Sequence, residues 1–192
     1  MEDIEEEIII RTPKEVAQRV LGVIASVGKV YFPEKNQVWI EQNSIGQYLS
    51  PEEKKFINNP TPEDDDRVNF SWKIETLVPL LWSLQGLNEM PAFNEQFDVW
   101  GNELVLKAIR NTKEFLADAK LKDDEVLTQM ESFLYHQHWR VRDRDMGFNN
   151  GKPNEDDINI NELNSGIVYE RRYGMSWVLG YGESWDDVPT DT

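Results

Sequence analysis

The chain has 192 residues, of which 39% are hydrophobic, with seven tryptophans and no cysteine. That is enough apolar and aromatic material for one ordinary packed domain, and it excludes disulfides, thiolate metal sites and cysteine nucleophiles. Twenty lysines and arginines against thirty-six aspartates and glutamates leave a formal charge of −16, which opposes binding to nucleic acid or an anionic membrane surface and favours a basic protein as partner.

The opening MEDIEEEIII is acidic and has only three consecutive isoleucines, so it does not read as a secretory signal. No apolar run approaches the length needed to cross a bilayer, and a cytoplasmic location is expected. Residues 1–11 read as an acidic N-terminal extension and residues 12–192 as a single helical domain. In TPKE, Thr12 can cap a helix, Pro13 takes its first position and Glu15 closes a capping box. Val16, Val20, Val23 and Val27 then share one face, with Gly28 as the expected stop. QVWIEQNSIGQYL is expected to be helical. SPEE repeats the first grammar with Ser50, Pro51 and Glu53, ahead of a short helix with Phe56 and Ile57.

The stretch Asn58–Asp66 concentrates proline and acid and reads as an exposed loop. Helical periodicity resumes over about residues 67–87, 95–120, 124–144 and 166–179, with GFNNGKPNEDD as a second turn-rich connection. Alternation typical of a strand is confined to ININ. The class is mainly α: one helical domain packed as an orthogonal bundle-like array, with two central helices and a packed C-terminal segment.

Those two helices carry apolar residues on both sides. In FSWKIETLVPLLWSL, Phe70, Ile74, Leu77, Leu81 and Leu84 form one stripe, and Trp72, Glu75, Pro79 and Trp82 lie opposite. In EVLTQMESFLYHQHWRVRD, Val126, Met130, Leu134 and Val141 form the main stripe, and Tyr135, Trp139 and Arg142 the other side. A buried carboxylate needs a partner; Arg142 is the first choice for Glu75 and Arg171 the second. The last helix sets Glu170, Tyr173 and Trp177 on one side, with Arg171 and Arg172 flanking Val168, Met175 and Leu179. The closing SWDDVPTDT is expected to act as a clasp, Trp185 burying itself while Asp186, Asp187 and Asp191 neutralise arginines at the core edge.

The pattern FSWKIETLVPLLWSL, HWRVRD, YERRYGMSWVLG and WDDVPTDT resembles the bacterial domain of unknown function 4272 family over most of the chain. Its most specific parts are Trp72, Glu75, Trp82, Trp139, Arg142, Glu170, Arg171, Trp177, Trp185, Asp186, Asp187 and Asp191. The resemblance implies a single, mostly helical bacterial domain and carries no established reaction.

Standard catalytic signatures are missing. No phosphate-binding glycine loop is present, and GYGESW lacks the third glycine of a dinucleotide fingerprint. Ser184 has no glycine after the position that follows it, as a nucleophile elbow requires. His136 and His138, two apart, diverge on a helix and do not chelate one zinc. DININ resembles half a calcium loop, but Glu162 stands where glycine is needed and Val168 where the bidentate acid belongs. No cofactor or metal is expected. The leading expectation is a non-enzymatic protein-binding module. The alternatives are a hydrolase or transferase using Glu75 with Asp186 or Asp187 as second carboxylate and Arg142 or Arg171 as anion binder, and a small-molecule sensor with a tryptophan cage.

Overall fold

Helix α1 (Pro13–Tyr31) starts on the expected grammar. The Thr12 hydroxyl accepts from the Glu15 N–H and the Glu15 carboxylate accepts from the Thr12 N–H, closing the box. The structure, a computed structural model, describes residues 9–148, 153, 155 and 157–191. Most of the acidic N-terminal stretch, part of GFNNGKPNEDD and Thr192 lie outside the described residues.

Gly28 does not end α1. The helix runs on to Tyr31 and stops at Phe32, because Pro33 disfavours helical backbone at the residue before it. Gly28 instead admits helix α2 (Pro33–Gln42): a Cβ there would lie 2.3 Å from the Asn36 Oδ1. Asn36 then donates to the Ala25 carbonyl at 2.7 Å. The stretch expected to be helical thus divides into α2 and a 3-10 turn, Ile45–Tyr48. Helix α3 (Pro51–Asn58) repeats the capping box at Ser50 and Glu53.

Helix α4 (Asp64–Trp72) takes up the end of the expected acidic loop, its first turn carrying Asp64, Asp65 and Asp66 at the positive pole of the helix dipole. The single helix expected over 67–87 is broken at Lys73. There the Thr76 N–H turns back to the Lys73 carbonyl at 3.0 Å, and helix α5 (Ile74–Ser83) begins. The break separates two environments: no residue of α4 is buried, whereas all ten of α5 are.

The region expected to be helical from residue 95 is largely irregular up to Asn102, apart from the 3-10 turn Val99–Gly101. Two short helices follow, α6 (Glu103–Arg110) and α7 (Thr112–Ala117). Helix α8 (Asp124–Asp145) and helix α9 (Ser165–Val178) fall close to their expected bounds. ININ forms no strand. Ile160–Glu162 is a 3-10 turn, and among the described residues the regular structure is helical throughout.

Helix α9 packs between α5 and α8, and α1 covers α5 from another side. The central helices are therefore α5 and α9, not α5 and α8. Of α9, eleven residues are buried, including Arg171 and Arg172. Helix α8 is peripheral because its second face is wet: Tyr135 is 44% and Trp139 37% exposed. At the closest approach of α5 and α9, a Cβ on Gly174 would meet the Thr76 carbonyl oxygen at 2.7 Å and Pro79 Cγ at 2.8 Å. Glycine is what lets these two helices touch.

Candidate functional site

Glu75 sits in the first turn of α5 and Arg171 midway along α9, both with 0% side-chain exposure. Arg171 Nε donates to Glu75 Oε2 at 2.9 Å, and the Phe97 N–H donates to Glu75 Oε1, also at 2.9 Å. Arg171 Nη1 reaches the Pro91 carbonyl at 2.6 Å, and the guanidinium lies 4.7 Å from the Phe93 ring. The pair thus fixes both ends of the irregular segment 91–97 to the two central helices. With no side-chain exposure and both carboxylate oxygens taken by partners within the fold, Glu75 is closed to any substrate. Arg142, the first choice of partner, is exposed on α8; sequence spacing gives the side of a helix a residue occupies, not which neighbour covers it.

The other tryptophans and acids singled out from sequence serve separate contacts. Trp72 packs on Gly166 in the first turn of α9, where a Cβ would lie 3.0 Å from the indole. Trp82 is buried beneath the Lys122 ammonium, 5.0 Å from its ring. Glu170 pairs with Lys73 at 3.1 Å, and burial pushes its carboxyl above the usual range. The tryptophan-bearing faces of α5 and α8 do not meet.

The C-terminal segment closes over the other end of α9. Trp185 is 7% exposed and meets Tyr173 and Trp177 edge-on, at 5.3 and 5.5 Å. The Arg19 guanidinium lies 4.8 Å from the Trp185 ring while also pairing with the buried Glu53. Among the described residues, Asp186, Asp187 and Asp191 form no ion pair with an arginine, although the Asp191 charge lies near enough to act on Arg172. Asp186 accepts from the Glu52 N–H at 3.0 Å, capping α3. Arg172 is met by carbonyls, donating to Thr190 at 3.0 Å and to Asp191 at 3.2 Å. Arg11 completes the seam, bonding the Val178 carbonyl through its N–H and the Gly182 carbonyl through Nη2 at 2.7 Å.

Among the openings on the described surface, two combine a defined lining with side chains suited to binding. Where α1 turns into α2, Tyr31 and Phe32 are 47% and 50% exposed and both contact Trp100, at 6.5 and 5.8 Å, edge to face. Beneath Phe32 and Trp100 lies an apolar pocket of about 180 Å³, reaching Ile24, Trp39 and Ile109. The second opening is a polar cleft of about 430 Å³ between α8 and α9, lined by Glu131, Tyr135, Arg172, Ser176, Tyr181 and Asp191 among others. Sequence reasoning did not assemble either one. The Tyr31–Phe32–Pro33 corner carried a legible signal, two aromatics before a helix-breaking proline. Glu131 and Tyr181 carried none.

The histidines have structural partners. His136 Nε2 lies 3.0 Å from Asp157 Oδ2, and Gln137 donates to Asp157 Oδ1 at 2.9 Å, so the aspartate of DININ ties its loop to α8. His138 Nδ1 lies 2.7 Å from Arg172 Nη1. Because arginine only donates, Nδ1 is the acceptor and the ring proton sits on Nε2. Burial, with Arg172 and Arg142 nearby, lowers the His138 pKa to about 4.

No curated protein and no solved structure matches the chain. One family does, over residues 2–188: it is described as "Domain of unknown function (DUF4272)". With nearly the whole sequence matched, the chain belongs to that family.

Proposed function

We propose that this domain is a non-enzymatic protein-binding module that takes a basic partner on the Tyr31–Phe32–Trp100 surface. The observation that carries the reading is three aromatic side chains gathered at one helix corner, two of them about half exposed, over a small apolar pocket. Aromatic anchors beside a pocket are where binding energy concentrates in protein interfaces. The charge of −16 supplies a long-range field that draws a basic protein in and fades with salt. The hydrolase or transferase alternative loses its central residue, since Glu75 is sealed and both its oxygens are taken.

Affinity capture from the native host at low salt, with wild-type and Phe32→Ala/Trp100→Ala baits side by side, tests this. The expected result is a basic protein retained by the wild type, released by raised salt, and held at least tenfold more weakly by the double variant. Equal retention by the folded double variant would sink the assignment of the surface. Retention unaffected by salt would sink the basic partner.

A further inference from the structure

The α8–α9 cleft holds two opposite charges that do not meet. Arg172 is 5% exposed, yet no carboxylate of a described residue lies within ion-pair distance of it. Its contacts are neutral: His138 Nδ1, the Thr190 and Asp191 carbonyls, and the Tyr135 ring at 4.7 Å. The Nη1 side of the guanidinium is filled by His138 and Thr190. Nε, buried at the cleft wall, has no hydrogen-bond partner, and Nη2 carries only the 3.2 Å bond to Asp191. The Nε–Nη2 edge is a fork suited to gripping a carboxylate with two parallel bonds, and here it is almost unused. A buried cation with an unpaired donor is costly unless something else completes it.

Glu131 lines the same cleft from α8. It is half-buried, forms no ion pair, and accepts only a 3.3 Å bond from Ser176. Burial raises its pKa, with Arg172 pulling the other way. The two side chains line one open cleft without forming an ion pair across it. At about 430 Å³ the space falls within the roughly 300–1,000 Å³ of small-molecule sites.

We propose that this cleft binds a small zwitterion, the carboxylate on Arg172 and the ammonium on Glu131, with a free α-amino acid as the simplest such ligand. Tyr135 and Tyr181 line the same space, and Ser176 donates to the Glu131 carboxylate. A simple anion satisfies only Arg172 and is opposed by Glu131 and Asp191; a simple cation meets Arg172. A molecule carrying both charges a few atoms apart satisfies each.

The site is separate from the aromatic surface, so its test is independent of the protein-binding proposal. Thermal shift and calorimetric titration of the full chain with each of the twenty L-amino acids, and with the N-acetyl and C-amide forms of any that bind, provide it. The expected result is binding by one or more amino acids, weakened at least tenfold by either cap. In Glu131→Gln, whose side chain is only half-buried, the amino acid should bind no better than its N-acetyl form. Arg172→Lys, retaining charge without the fork, should lose binding at least tenfold. If no amino acid binds, or if capped and free forms bind alike to the wild type, the proposal is overturned.

Discussion

Tyr173 donates its phenolic hydrogen to the backbone carbonyl of Trp185, and its ring meets the Trp185 indole edge-on. Burial pushes the Tyr173 phenol well above its ordinary pKa, so the proton that makes the bond stays in place. The C-terminal segment is therefore part of the core. Trp185→Ala is expected to cost about 3–5 kcal/mol, and deletion of residues 185–192 at least as much, because Arg19, Tyr173 and the α3 cap lose partners together. Calorimetry should show the melting temperature of the substitution falling by about 10 °C. A truncated chain that melts with the full-length protein would refute the clasp.

Breaking the Glu75–Arg171 pair from one side leaves a bare charge in a dry place. Glu75→Ala and Arg171→Ala are each expected to lose about 3–5 kcal/mol in urea unfolding. The double variant Glu75→Leu/Arg171→Met, which removes both charges, should be less destabilised than the sum of the singles. Strict additivity would mean the two groups act independently.

Gly174→Ala isolates the α5–α9 contact. The added methyl meets the Thr76 carbonyl and Pro79 at less than 3 Å, neither of which is a flexible chain end. A loss of about 1–3 kcal/mol is expected, although alanine is the better helix former. Stabilisation would show that the helices separate without cost.

Stability should fall as pH is lowered from 6.5 toward 4. The folded His138 pKa of about 4 lies below its unfolded value near 6.5. The unfolded chain therefore binds a proton in that window that the native protein refuses, and native stability rises with pH across it. Arg172 and Arg142 face the ring, with Tyr169 edge-on at 5.7 Å. The contribution is about 3 kcal/mol. His138→Gln, whose amide oxygen can still accept from Arg172, should flatten that part of the profile. Identical pH dependence in the two proteins would sink the assignment.

Local chemistry was the legible part of the fold. The capping boxes at Thr12 and Ser50 are written in four residues each, and the structure forms both. The long periodic runs behind α8 and α9 placed those helices within a residue or two. The break at Lys73 was hidden because apolar spacing continues through it: Phe70 stacks on Phe56 at 4.0 Å while Ile74 enters the core. The choice of Arg171 over Arg142 depends on α9 lying between α5 and α8, a matter of topology that no single helix encodes. Arg172 lay in plain view beside Arg171. Its importance comes from acceptors eighteen and nineteen residues away, which local spacing does not reveal.

Segment 91–97 has little regular structure, yet its backbone is tied at Pro91 to Arg171 and at Phe97 to Glu75. Its rigidity is thus borrowed from two helices far away in sequence. The Phe97 amide should exchange with deuterium as slowly as the amides of α5, and only when the two central helices part. Mutating either charged residue would then free the segment first, a local melting that a protease would detect before any spectroscopic signal of helix moved.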